Sequence, residues 1–147
     1  MTEAGFYHLT RTDIAAALPA LLGRTLAAGE RAVVVCKDAV QLAALDVALW
    51  HAHQPDWLPH GTKTTPHPAW QPVFLTIEDE NPAGAAFLFR LGGAAAEMAA
   101  YKRVFDLFDG NDEAEVAAAR ARWRAAKAAG HTLTYWKQGE GGWEKAG

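Results

Sequence analysis

Apolar residues along the chain follow two alternating patterns, short β-branched or aromatic runs and longer stretches with helical spacing. The short runs are typical of buried strands: GFYHLT (5–10), RAVVVCK (31–37), PVFLTI (72–77), AFLFRL (86–91), KRVFDLF (102–108) and TLTYWK (132–137). Helical spacing marks residues 14–29, the segment after Asp38, and residues 113–130. This alternation predicts an α/β protein with three layers, in which helices flank a mostly parallel, mixed sheet.

Helix boundaries and buried faces follow from the same pattern. Thr10 or Thr12 is expected to cap the first helix, Gly29 to end it, and Asp38 to cap the second helix. The apolar positions of the second helix are expected to face the core: Val40, Leu42, Leu45, Leu49 and Trp50. Residues 52–72 then form a long loop rich in proline, histidine and threonine, which makes the loop a candidate for function.

The last predicted helix divides into two stripes at about 100° per residue. One is a seam of small side chains expected to lie against the sheet: Ala114, Ala117, Ala121, Ala125 and Ala128. The other, on its flank, consists of Val116, Arg120, Trp123, Arg124 and Lys127. A ring among cations can hold an apolar group while the cations bind carboxylates or phosphates. The alternative is an ordinary solvent-exposed helix face, whose basic residues interact favourably with the C-terminal end of the helix dipole.

Length and composition limit the function classes. The 147 residues, 50% of them hydrophobic, predict a single domain over residues 1–147, with residues 138–147 as a loosely held, flexible tail. Trp143 in that segment can fold back or stay free. A net charge of −3 argues against a protein that wraps nucleic acid. Neither a signal peptide nor a membrane span is evident, and the single Cys36 suits a reducing compartment, so a cytoplasmic location is expected.

Motifs for catalysis or cofactor binding are largely missing from the sequence. Neither G-x-G-x-x-G nor G-x-x-x-x-G-K-[ST] occurs, so the α/β fold has no phosphate-binding loop, and serine is absent. The histidines of the long loop offer the one candidate metal cluster: His51, His53, His60 and His67. On a helix, the i, i+2 spacing of His51 and His53 would point their side chains about 200° apart, so a small α/β metalloenzyme is a minor alternative. We expect no metal and no cofactor.

Two blocks of sequence carry a family resemblance. LDVALWHAHQPDWLPHG (45–61), VFDLFDGNDEAEVAAARARWRAAKAAGHTLTYWK (104–137) and the opening GFYHLT resemble the chi subunit of bacterial DNA polymerase III. The resemblance runs in order over about residues 5–137. It implies a chi-like α/β domain with a nucleotide-binding-like fold that lacks the phosphate loop. It also implies a non-catalytic accessory subunit, associated with the clamp loader, in a DNA-directed DNA polymerase (nucleotidyltransferase) complex.

The resemblance implies a first partner, the single-stranded DNA-binding protein. Chi proteins grip its acidic C-terminal tail, which ends in an apolar residue with a free carboxylate, so DNA is contacted only indirectly. The family's basic and aromatic positions on the last helix fall here on Arg120, Trp123 and Arg124, with Val116 and Lys127 as neighbours by helical geometry. Family members often carry tyrosine and lysine where this chain has Trp123 and Arg124. That difference keeps the chemistry of the pocket.

The resemblance implies a second partner as well, the psi subunit and through it the clamp loader, or in some bacteria a helicase. The family uses an aromatic position before an L-P-H segment, which is Trp57 here, followed by Leu58, Pro59 and His60. The main alternative to the adaptor is a module that binds single-stranded nucleic acid directly through the Arg120, Trp123 and Arg124 stripe. Such a module needs a longer basic track and more stacking rings than one helix provides.

Overall fold

The computed structural model describes residues 2–51 and 59–146. Within these ranges the strands are β1 (Glu3–Leu9), β2 (Ala32–Val35), β3 (Val73–Thr76), β4 (Phe87–Leu91), β5 (Arg103–Asp109), β6 (Thr132–Gly139) and β7 (Gly142–Lys145). The α-helices are α1 (Ile14–Ala27), α2 (Ala39–Trp50) and α3 (Glu113–Ala128), and a short 3₁₀ turn covers Pro68–Trp70. The strands and helices predicted from the apolar pattern are therefore confirmed.

The strands form one sheet in the order β3-β2-β4-β5-β1-β6-β7. Every neighbouring pair is parallel except β6 and β7. Helices α1 and α2 pack on one face, and α3 with residues 94–101 covers the other face. Because both faces are covered, successive residues of β1 are buried whichever way they point, as with Phe6 and Tyr7. The predicted three-layer, mostly parallel α/β fold is confirmed.

The helix caps were predicted correctly at two of three positions. Asp38 caps α2, where its carboxylate accepts from the backbone N–H of Gln41, and Gly29 follows the end of α1 with φ +78°. The expectation of Thr10 or Thr12 at the start of α1 is wrong, because Asp13 caps this helix by accepting from the N–H of Ala16 at 2.8 Å. Both threonine hydroxyls bond instead to Gln138 on β6.

The outer face of α2 is apolar, which corrects the predicted burial of two residues. Val40 is 80% exposed and Trp50 is 62% exposed, whereas Leu45 and Leu49 are buried as expected. Helical geometry explains the difference, because Val40, Val47 and Trp50 are spaced by seven and three residues and so share one side of the helix. That side faces away from the sheet and leaves a tryptophan on the surface.

Helix α3 is rotated by roughly 140° relative to the predicted alanine seam, at 100° per residue. The seam alanines 114, 117, 121, 125 and 128 are exposed, and the face toward the sheet carries Ala119 and Ala126 instead. Arg122 lies between those two alanines, and its guanidinium binds Asp106 on β5. The prediction failed because this buried ion pair fixes the rotation of the helix, and residue size alone does not reveal it.

The chain after Lys137 forms a hairpin where a loosely held tail was expected. Strand β6 continues to Gly139, and β7 returns antiparallel to it, with Lys137 opposite Glu144 and Gln138 opposite Trp143. The Trp143 ring packs edge-on against Tyr7, with ring centroids 5.1 Å apart. Trp143 therefore folds back onto the hydrophobic core between the sheet and helices α1 and α2.

Candidate functional site

A groove of about 380 Å³ lies where α3 passes over β1 and β6. It is lined by His8 of β1, Arg120 and Trp123 of α3, Tyr135 and Lys137 of β6, and Ala146. Strand register explains how these elements converge, because β1 pairs with β6 so that Phe6 lies opposite Tyr135 and His8 opposite Lys137. The side chains at these positions share the face that α3 covers.

Trp123 forms a fixed apolar wall in this groove. Its ring packs edge-on against Phe6 with centroids 5.3 Å apart, and against Tyr135 with centroids 5.7 Å apart. Trp123 is half-buried, so part of the ring stays open to the groove. Such packing holds the indole in one orientation, and a rigid aromatic surface costs little entropy when an apolar group binds to it.

Cations surround this ring. Arg120 and Lys137 line the groove, and Arg124 and Lys127 are exposed on the next positions of the helix surface. In the part of the chain that the structure describes, none of these four side chains has a carboxylate oxygen within 4.0 Å. The groove therefore offers unpaired positive charge beside an aromatic wall, although the chain as a whole carries −3. This combination suits an anionic ligand with an apolar group.

His8 and Tyr135 form a hydrogen-bonded pair at the base of the groove. His8 Nδ1 lies 2.6 Å from the Tyr135 hydroxyl. Burial lowers the pKa of His8, and Lys137 and Arg120 act in the same direction, against a hydrogen bond with the Gly110 backbone and the charge of Asp109. Burial raises the pKa of Tyr135, with an opposing effect of Arg120. Both groups are therefore neutral near pH 7.

A buried ion-pair network sets the position of α3 above the sheet. Asp106 is fully buried and accepts from Arg122 Nε and Nη2, both at 2.8 Å. Arg90 of β4 approaches the same carboxylate at 3.0 Å and donates to the Ala96 carbonyl. Two cations on one carboxylate hold the helix at a defined rotation, which in turn presents Arg120 and Trp123 to the groove.

The predicted stripe on α3 is only partly brought together. Arg120 and Trp123 line the groove, whereas Arg124 and Lys127 lie on the exposed helix surface outside its lining. Val116 is half-buried against the hydrophobic core between α3 and the sheet. Sequence reasoning missed the other four lining residues, His8, Tyr135, Lys137 and Ala146. Tyr135 and Lys137 alternate on one predicted strand, which signals a shared face, but no pattern in the sequence places that strand beside His8.

The predicted docking segment is only partly within the described residues. Trp57 and Leu58 lie outside them, and Pro59 is half-buried. His60 is buried, and its Nε2 lies 2.9 Å from Asp46 Oδ1. The exposed Trp50 ring lies 4.7 Å from the His60 ring. His60 therefore anchors the end of this segment to α2, next to an exposed tryptophan.

The β1–α1 turn lies where nucleotide-binding α/β proteins hold phosphate. Here the Gln138 side chain fills the position. Its Oε1 accepts from the backbone N–H groups of Thr10, Arg11 and Thr12 at 3.2, 2.8 and 3.0 Å, and its Nε2 donates to the Thr12 hydroxyl. The neutral side-chain amide of Gln138 thus bonds to the backbone N–H groups that would otherwise face an anion.

The described residues contain neither a candidate metal cluster nor a candidate membrane-spanning helix. Within residues 2–51 and 59–146, no three histidine, cysteine, aspartate or glutamate side chains come together as a metal site. Of the loop histidines, His53 falls outside these ranges. No helix in the described parts of the chain has the length and apolar character needed to cross a membrane.

Comparisons with known proteins agree on one family. The family model described as "DNA polymerase III chi subunit, HolC" matches residues 1–134. A curated protein from Rickettsia prowazekii (strain Madrid E), named "Probable DNA polymerase III subunit chi", is 30% identical over 88 residues. That alignment covers 60% of this chain and 53% of the relative, so the matched region spans about half of the relative's length.

Proposed function

Since the chain belongs to the DNA polymerase III chi subunit family, we propose that it is a non-catalytic accessory subunit that links single-stranded DNA-binding protein to the replisome. It does so by binding the acidic C-terminal tail of that protein. The observation that supports this function best is the groove beside α3, in which unpaired Arg120 and Lys137 flank the half-buried Trp123.

The groove divides the recognition of the tail between two kinds of group. The apolar side chain at the end of the tail packs against Trp123 and Tyr135, and the terminal carboxylate pairs with Arg120 and Lys137. Aspartates upstream in the tail lie along Arg124 and Lys127 on the exposed surface of α3. Val116 supports the wall beside Trp123. Capture of a terminal carboxylate together with an acidic motif is an established mode of peptide recognition.

Electrostatics set the expected strength of this binding. The cations are exposed, so added salt screens their attraction for the tail. Because the rest of the chain is net acidic, the attraction is confined to the α3 surface and does not favour long anionic polymers in general. The expected complex is of modest affinity, salt-sensitive, and selective for a short acidic tail.

A titration of labelled peptide tests this function. An acidic peptide ending in phenylalanine should bind, and Arg120→Glu, which puts a negative charge in the groove beside Trp123, should weaken binding about thirtyfold or more, as loss of an arginine hot spot does. Arg24→Glu is the matched control, because it makes the same charge change on α1, across the sheet, and should leave affinity unchanged. Tight binding of naked oligonucleotide without peptide binding would favour a direct nucleic-acid-binding module and refute the adaptor.

A second surface, predicted from the sequence, completes the adaptor. We place a psi subunit, and through it the clamp loader, or a helicase on Trp57, Leu58, Pro59 and His60. The exposed Trp50 and Val47 of α2 extend this surface. Exposed apolar side chains beside a proline-rich segment are typical of partner contacts. His60 contributes through its contact with Asp46 of α2, since its own side chain is buried.

Mutation of the two surfaces separates their roles. Trp57→Ala and Trp50→Ala should each reduce capture of a purified psi subunit or helicase from the same source and leave tail-peptide affinity unchanged. Trp70→Ala serves as the control, because Trp70 is also exposed but lies on the 3₁₀ turn and stacks on His67. Loss of tail-peptide binding in the Trp57 or Trp50 variants would contradict two separate surfaces.

A further inference from the structure

The base of the groove contains a histidine whose hydrogen bonds depend on its charge. His8 Nδ1 lies 2.6 Å from the Tyr135 hydroxyl. The other side of the ring lies against Gly110, so closely that a Cβ on that glycine would clash with the ring at Nε2. The Gly110 backbone acts to raise the pKa of His8, which favours a proton on this side of the ring. With its proton there, the neutral ring has an acceptor at Nδ1, and the Tyr135 hydroxyl donates to it.

Protonation reverses this hydrogen bond. A charged ring donates from both nitrogens, so Nδ1–H donates to the Tyr135 oxygen and the hydroxyl hydrogen is released. That hydrogen can then point into the groove, where Tyr135 also lines the wall. The charged pair thus gains both a positive charge and a donor directed at the ligand space, and the neutral pair offers neither.

The groups around His8 disfavour its charge when the groove holds no anion. Lys137 on β6 and Arg120 on α3 repel a protonated ring, and burial adds to their effect. Asp109 on β5 and the Gly110 backbone act in the opposite direction. Together these effects lower the pKa of His8, with burial the largest. A carboxylate bound between Arg120 and Lys137 would neutralise the repulsion from those two cations.

From this geometry we propose that His8 is a proton-linked ligand of the groove, which becomes charged when a carboxylate binds and then holds it through Tyr135. The inference rests on the proposed function, since it concerns the same groove and the same acidic tail. Its consequence is that tail binding takes up protons and becomes tighter as the pH falls from about 8 to about 6.

Linkage between proton binding and peptide binding gives the direction of this pH dependence. A bound anion raises the pKa of His8, so the complex holds more protons than the free protein between the two pKa values. Affinity therefore rises as the pH falls through that window and levels off below both values. The carboxylates of the tail stay ionised over the same range, since their ordinary pKa values lie near 4. His8 is the histidine among the groove-lining residues, so the pH dependence reports on it.

Peptide affinity measured at about pH 8 and about pH 6 tests the proposal. Wild-type protein should bind an acidic peptide ending in phenylalanine about fivefold more tightly at the lower pH, at the lower end of typical site-to-site coupling. His8→Gln keeps an acceptor for Tyr135 and removes the titration, so the ratio of its affinities at the two pH values should fall to about one, whatever its affinity at the higher pH. His51→Gln, exposed on α2, is the control and should keep the tightening.

A second readout is the titration of the His8 ring by NMR, with and without saturating peptide. An upward move of its pKa on binding supports the proposal. If peptide binds with equal affinity at both pH values, or the His8 pKa does not move, the proton linkage is refuted and the adaptor function stands. If wild-type protein binds no peptide at either pH, the proposed function itself fails.

Discussion

The buried Arg90–Asp106–Arg122 network offers a strong test of how the fold positions α3. The perturbation is Asp106→Asn, which keeps the volume of the side chain and removes its charge. Asp106 is fully buried, and the side chains of Arg122 and Arg90 are only 19% and 9% exposed. After the substitution, two buried guanidinium groups remain side by side without an anion, on β4 and α3.

The expected cost can be worked from these contacts. Breaking a buried ion pair by removing one partner costs about 3–5 kcal/mol, because an uncompensated charge stays buried. Here both arginines lose their carboxylate, and of the two oxygens that accept from Arg122 at 2.8 Å the amide keeps one, since its NH2 group is itself a donor. We therefore expect the free energy of unfolding to fall by about 3–5 kcal/mol, a large part of the stability of a typical domain.

Urea unfolding followed by circular dichroism and tryptophan fluorescence measures this change. Asp109→Asn on the same strand is the matched control, since Asp109 is exposed, and it should cost no more than about 1 kcal/mol. Replacing all three charged residues by leucine should recover much of the lost stability, because no charge then stays buried. Equal stability of Asp106→Asn and wild type would refute the argument that the network holds α3.

Three other predictions concern the core and the β6–β7 hairpin. Burial raises the pKa of Cys36 to about 12, so native protein should resist thiol reagents until urea unfolds it, and rapid labelling of native protein would contradict this. Gln138→Ala removes the acceptor of three backbone N–H groups and should lower the free energy of unfolding by about 1–3 kcal/mol, so an unchanged urea midpoint would contradict the contact. Trp143→Ala should lower Tm and speed hydrogen exchange of the β6–β7 amides, and unchanged exchange would favour a loosely held tail.

The fold class was predictable because six strands and three helices each have their own apolar period. Strands buried on both faces give short apolar runs, and helices give longer spaced patterns, so each element can be recognised locally. The rotation of α2 could not be predicted in the same way. Its sequence AVQLAALDVALW is apolar on almost every side, and only contact with the sheet decides that Trp50 points outward.

Only the part of the site that lies on helix α3 was predictable. Arg120 and Trp123 follow from spacing on α3, but their partners come from strands far away in the sequence. His8 and Tyr135 touch although they are 127 residues apart, because β1 pairs with β6 near the β7 edge of the sheet. The network that rotates α3 was hidden for the same reason. Asp106 looked like a polar residue in the strand KRVFDLF, and nothing local pairs it with Arg122.

The most direct test of the tail-binding groove compares two peptides that differ in one group. Both carry the same acidic sequence ending in phenylalanine, one with a free C-terminal carboxylate and the other with a carboxamide. If Arg120 and Lys137 pair with the terminal carboxylate, the carboxamide should bind about tenfold or more weakly in a fluorescence anisotropy titration, as expected for the loss of a charged hydrogen bond. Equal affinity for the two peptides, or no binding of either, would contradict the account.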